Sequence, residues 1–256
     1  MPNSLFIDIA GTAVTSDEAK RILHPLVGGI VLFTRNYSDR SQLQTLTREL
    51  KSLKPSLTIS VDHEGGRVQR FMEGFTQLPA METLGELYKS NPDKALSEAK
   101  NYGYTMASEL KAVGVDLSFA PVLDLNKGIC HVLRGGRAIS ASPAVTIAVA
   151  SSYIDGMNQG GMMAIGKHFP GHGSVVGDSH ESLPVDSREL ETLEKDDLSV
   201  FLGLLTKLGG IMPAHIIFDK VDSKPASLSS VWLKTLLRGK YQFAGKVFSD
   251  CLSMKG

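Results

Sequence analysis

The sequence predicts an α/β fold, a (β/α) barrel that stops after its seventh strand, and three observations predict it. Short apolar runs alternate with amphipathic helical stretches seven times along the 256 residues. Polar and charged residues stand where those runs end: Asp62, Asp124, Lys167, His168, His215 and Asp250. The first run is followed by Gly11-Thr12-Ala13, not by a Gly-rich phosphate loop. Repeated strand–helix alternation with right-handed crossovers leaves two candidates, a barrel or an open doubly wound sheet. The second and third observations favour the TIM-type barrel, whose strand ends form one rim where active sites sit.

The seven runs cover residues 5–10, 28–35, 57–62, 115–125, 162–168, 210–215 and 246–250. They are rich in Val, Ile and Phe, too short for helices, and lack alternation, as expected of strands buried on both faces. Between them, Leu43, Leu46, Leu50 and Leu53 mark one face of a helix that starts near Ser41 and stops before Pro55. Asn91-Pro92 opens a helix that Gly114 closes, and Ser142-Pro143 opens another running to about residue 158. Ser187 is placed to cap a helix reaching about Thr206, and Ser229 one ending near Gly239. No linker, low-complexity segment or composition break interrupts residues 1–256, so one domain is expected. A closed barrel needs eight strands, and Gly256 lies six residues past Asp250. An eighth βα unit of roughly 30 residues is therefore expected to be missing. Its loss would leave the first and seventh strands with unpaired edges.

Lys plus Arg and Asp plus Glu both number 27, so the formal net charge is zero and no nucleic-acid partner is expected. Two cysteines, Cys130 and Cys251, are too few for a disulfide framework and fit a reducing compartment. No Lys or Arg precedes the apolar run at 5–10, so a signal peptide is not indicated. Nor does any apolar stretch approach the ~20 residues that cross a bilayer. The expectation is a soluble cytoplasmic protein with no membrane partner.

Residues 62–71 (DHEGGRVQRF) place a sharp Gly65-Gly66 turn after a strand, bringing Arg67 and Arg70 back toward the rim beside Asp62. A carboxylate and a guanidinium facing one pocket suit sugar hydroxyls, and an exposed loop salt bridge is the equal alternative. Lys167, His168 and residues 169–180 form the densest polar cluster. Zinc sites of the HExxH type set two histidines one helical turn apart, whereas Pro170 and Gly171 separate His168 from His172, so no metal or other cofactor is expected. A serine elbow, G-x-S-x-G, fails at Glu181. Asp178, two residues before His180, can fix the histidine's tautomer and raise its proton affinity, which suits protonation of a leaving oxygen. A solvated loop histidine competes with that reading. Asp250 ends the seventh run, and a carboxylate among cations stays ionised, as a nucleophile must. A helix-capping aspartate competes equally there.

The runs HPLVGGIVLFTRNY (24–37), DHEGGRVQRF (62–71), FAPVLDL (119–125), GKHFPGHG (166–173), DSH (178–180), IMPAH (211–215) and FSDCLSM (248–254) span nearly the whole chain. They resemble bacterial β-N-acetylhexosaminidases of glycoside hydrolase family 3. That resemblance implies a retaining exo-β-N-acetylglucosaminidase acting through a covalent glycosyl-enzyme. The implied substrates are small N-acetylglucosamine-containing muropeptides from peptidoglycan recycling in the cytoplasm. Asp250 matches the family nucleophile and His180 its histidine acid/base, partnered by Asp178. Asp62, Arg70, Arg137, Lys167 and His168 match the positions that hold the sugar. Arg137 is preferred to Arg134 because GGRAISASP (135–143) fits the family's segment before a Pro-capped helix. Cys251 departs from the second aspartate that relatives often carry there. Two other readings stand: a non-catalytic sugar-binding remnant, and a metal-dependent barrel hydrolase using His168, His172 and His180. Turnover of an aryl N-acetylglucosaminide separates the first from the enzyme, and activity surviving chelation removes the second.

Overall fold

The structure is a computed structural model and describes residues 4–176 and 183–253. Seven parallel strands follow one another in chain order: β1 Leu5–Ile7, β2 Val27–Leu32, β3 Thr58–Val61, β4 Leu117–Ser118, β5 Ile165–Phe169, β6 Gly210–Pro213 and β7 Lys246–Val247. β1 to β4 form one sheet and β5 to β7 a second. A bridge between Val122 and Lys167 joins the two, with the Leu123 N–H donating to the Lys167 carbonyl at 2.7 Å. Every residue of β5 and β6 is buried, which accounts for the apolar character of β6 and means that Lys167 and His168 of β5 are buried too.

Among the described residues no ladder joins β1 to β7, so the α/β class and the strand order are established but a closed barrel is not. The rings of Phe6 and Phe248 nevertheless meet edge-on at 5.6 Å, with Phe119 another 5.6 Å from Phe248. No helix among the described residues is long and apolar enough to cross a membrane.

The helices differ from expectation in instructive ways. α1 (Ser16–Ile22), opened by a Thr15–Glu18 capping box, was not anticipated. α2 (Arg40–Leu53) is capped by Asp39, whose carboxylate accepts the Gln42 N–H at 2.9 Å, and it buries Leu43, Leu46 and Leu50. α3 (Met81–Ser90) was also not anticipated, and it runs into α4 (Pro92–Ala112), which Asn91 caps. α4 packs on α5 (Pro143–Gln159) backbone to backbone. A Cβ on Gly103 would lie 2.1 Å from the Tyr153 carbonyl oxygen, and one on Gly156 2.0 Å from that of Lys100.

Three expectations need correction. Residues 115–125 are not one strand: after β4 the chain leaves the first sheet and reaches across at Val122 to pair with β5. The helix expected from Ser187 to Thr206 is broken at Asp196 into α6 (Leu190–Lys195) and α7 (Asp197–Leu204). Ser187 caps neither, because its hydroxyl donates to Asp219. The Ser229 hydroxyl does accept the Trp232 N–H at 3.0 Å, but the helix it serves, Val231–Lys240, is π-wound.

Candidate active site

β3 delivers Asp62, and the chain stays extended through His63–Gly65, so Asp62 and Glu64 share one face of the backbone. Gly65 and Gly66 then turn at φ +103° and +55°, in the left-handed region that favours glycine. A Cβ on Gly65 would also lie 2.6 Å from the Pro79 carbonyl oxygen. The turn pairs His63–Gly65 with Val68–Gln69 and returns Arg70 to the mouth. β5 delivers Lys167 and His168, the loop ahead of α5 delivers Arg137, and the residues after β7 deliver Asp250. All of them line one cavity of about 1190 Å³.

Glu64 is the hub. Arg137 grips it with Nε to Oε2 at 2.9 Å and Nη2 to Oε1 at 2.7 Å. Lys167 Nζ sits 2.7 Å from Glu64 Oε1 and donates to Asp62 Oδ1 at 2.8 Å. Burial alone would raise the Glu64 carboxyl, but Lys167 and Arg137 outweigh it and bring it down to about 2. Burial and the Arg137 charge would lower the Lys167 ammonium, but Asp62 and Glu64 outweigh them and hold it above its ordinary range.

Asp124 is fully enclosed. Its Oδ1 accepts the backbone N–H groups of His168 at 3.1 Å and His172 at 2.7 Å, and its Oδ2 lies 2.7 Å from His168 Nδ1. Burial raises its carboxyl, but the His168 charge and these bonds leave it below the usual carboxylate range. An ionised carboxylate only accepts, so Nδ1 of His168 carries the proton and Nε2 faces the cavity, 3.9 Å from Asp250 Oδ2. The other oxygen of Asp250 accepts the Cys251 N–H at 2.8 Å. Burial works against its charge, but His168, that N–H, Lys167 and His215 prevail, and Asp250 stays ionised at neutral pH.

These depressed carboxyls make stability acid-sensitive. Above pH 4.5, Glu64 is ionised in both the folded and unfolded chain, and its contribution is fully present. Between 4.5 and about 2 the unfolded chain takes up the proton first, so the contribution fades, by on the order of 3 kcal/mol in all. Denaturant unfolding followed by Trp232, the chain's one tryptophan, is expected to show that loss. Glu64→Gln is expected to flatten it, and an equally steep fall in that variant contradicts the assignment.

The other candidates sit elsewhere. Asp178 and His180 lie outside the described residues. His172 is buried behind Asp124, its Nδ1 3.3 Å from Cys130 Sγ. Arg134 lines a separate cavity of about 190 Å³ with Glu82, Asn126 and His131. The buried Nε of Arg70 has no acceptor among the described residues. On the two sides of residues 177–182, Ser174 Oγ donates to Asp197 Oδ2 at 2.7 Å and Arg188 Nη1 approaches the same oxygen at 2.8 Å. Glu64 and the part played by Asp124 escaped the sequence reading. The signal for Glu64 was its place two residues after Asp62 in an extended run.

Comparison with known proteins identifies the family. The model of the glycosyl hydrolase family 3 N terminal domain matches residues 6–256. A beta-hexosaminidase of Chromobacterium violaceum is 50% identical over 254 residues, 98% of this chain and 71% of that protein. NagZ of Neisseria gonorrhoeae, solved in complex with N-trifluoroacetyl-D-glucosamine, superposes with a TM-score of 0.95 at 47% identity, covering 100% of this chain and 75% of that one. A family 3 beta-N-acetylglucosaminidase from a Paenibacillus strain superposes with a TM-score of 0.92 at 32% identity, covering 99% and 48%. With the family model covering nearly every residue and relatives at half identity along the same span, the chain belongs to glycosyl hydrolase family 3, a family of glycosidases.

Proposed function

We propose that this chain is a retaining exo-β-N-acetylglucosaminidase that removes terminal N-acetylglucosamine from muropeptide fragments in the cytoplasm. The observation that carries the reading is the ionised Asp250 carboxylate facing the same cavity as Asp62, Lys167, Arg137 and His168. The names of the relatives and the sugar analogue bound by the Neisseria NagZ support it. Residues 1–256 then form one catalytic domain, with the seven strands curved into an incomplete barrel of the TIM type.

In the first step Asp250 attacks the anomeric carbon as His180, partnered by Asp178, protonates the departing glycosidic oxygen. In the second, water attacks the same carbon, His180 takes its proton, and Asp250 leaves as a free carboxylate. Asp62, Arg70, Arg137, Lys167 and His168 hold the sugar's hydroxyls and amide. The chemistry uses a carboxylate and an imidazole alone.

The test is turnover of aryl β-N-acetylglucosaminides by the purified chain. His180→Ala is expected to slow substrates with poor leaving groups by about 10²–10⁴-fold and activated aryl substrates far less, because only the former need the proton. Equal losses on both classes contradict the acid/base role, and sugar binding without turnover by the parent chain favours a binding protein.

A further inference from the structure

We infer that His215, locked by Ser227, is a positioning residue that aims the Asp250 carboxylate by holding the chain just beyond it. The inference rests on Asp250 being the nucleophile. Among the described residues β7 is paired on one side only, Lys246 opposite Gly210 and Val247 opposite Ile211. The last bond of that ladder runs from the Phe248 N–H to the Ile211 carbonyl at 2.9 Å. Beyond it the chain leaves the sheet, and Ser249 and Asp250 follow without a strand neighbour among the described residues.

The next tie is the Cys251 carbonyl, 3.2 Å from His215 Nε2. A carbonyl oxygen only accepts, so Nε2 carries the hydrogen. In the neutral ring Nδ1 is then an acceptor, and the Ser227 hydroxyl donates to it at 2.7 Å. Ser227 is itself held by its N–H on the Ala214 carbonyl at 3.1 Å, and both side chains are buried. Cys251, pinned through its carbonyl, in turn donates its N–H to Asp250 Oδ1 at 2.8 Å. The chain of contacts thus runs from β6 through His215 and Cys251 to one oxygen of the nucleophile. His215 lies outside the lining of the large cavity, so it acts on Asp250, through the backbone and through its electrostatic effect on that carboxylate, and not on the sugar.

The experiment compares His215→Leu, which deletes the donor, with His215→Gln, whose amide N–H₂ can occupy the place of Nε2–H. For the leucine variant the expected result is a fall in kcat on the order of 10²-fold, the cost of slight misplacement of a reacting group. KM and calorimetric affinity for N-acetylglucosamine stay within about two-fold, as for an interaction made only in the transition state. The glutamine variant recovers most of the rate. Amide hydrogen exchange at Cys251 accelerates in the leucine variant and stays slow in the glutamine variant. Ser227→Ala, which removes only the lock, gives a partial loss of the same kind and serves if the leucine variant does not fold. Unchanged exchange overturns the tie, and faster exchange with undiminished kcat overturns its role in aiming Asp250. If the parent chain turns over no aryl glycoside, the nucleophile reading fails instead, and exchange alone still reports whether the tie exists.

Discussion

Asp250→Asn is expected to abolish turnover while leaving the sugar's affinity within a few-fold. Asparagine keeps the size of the side chain and the oxygen that accepts the Cys251 N–H, so the local backbone has no reason to move. What it loses is the anion. An amide oxygen is too weak a nucleophile to form the glycosyl ester, and a site that depends on that ester loses at least about 10⁴-fold in kcat, part of the ~10⁶-fold or greater acceleration that enzymes provide. Affinity should survive because the groups proposed to grip the ring, Asp62, Lys167 and Arg137, are tied together through Glu64 and the Lys167–Asp62 pair, independently of residue 250. Steady-state kinetics on an aryl glycoside together with calorimetry decide it. An asparagine variant within ten-fold of the parent's kcat rules out Asp250 as the nucleophile.

The second large effect is expected at Glu64. Glu64→Leu leaves Arg137 without its bidentate partner and Lys167 with Asp62 alone, both cations remaining buried. Breaking a buried ion pair by removing one member costs about 3–5 kcal/mol, because the survivor's charge stays out of water unmatched. Set against a typical total of about 5–15 kcal/mol, that loss brings the domain close to unfolding at room temperature. Glu64→Gln keeps volume and one acceptor oxygen, so it should cost less while still loosening Arg137. Denaturant titration measures both, and N-acetylglucosamine affinity should fall in step. A leucine variant destabilised by less than about 1 kcal/mol would show that the two cations are held by something other than this carboxylate.

The order of the seven strands was readable because buried strands are short, mostly apolar runs, and several of the polar residues at their ends, Asp62, Lys167, His168 and Asp250 among them, line the cavity. The buried leucines of α2 and the Asn91-Pro92 opening of α4 were readable for equally local reasons. What stayed hidden depended on distant partners. Residues 115–125 look like one long strand, yet Val122 belongs beside Lys167, forty-five positions away. The stretch from 187 to 206 looks like one helix. Its centre breaks because Asp196 reaches Lys127 and Arg188 while Asp197 binds Ser174 and Arg188. Glu64 reads as an ordinary charged loop residue until Arg137, seventy-three positions on, is seen to fold against it.

The alternation of charge in the cavity has a further effect on how substrate arrives. Asp8, Asp62, Glu64 and Asp250 line the same cavity as Arg35, Arg67, Arg70, Arg137, Lys167 and Lys246, four acidic groups against six basic ones. Opposed charges so close together produce steep potentials at contact, and the excess of basic groups leaves a weak positive field at the opening of a chain that is itself neutral. The mouth therefore favours an arriving molecule that carries carboxylates, within about a Debye length and less as salt rises. Finer selection begins when hydroxyls touch the walls.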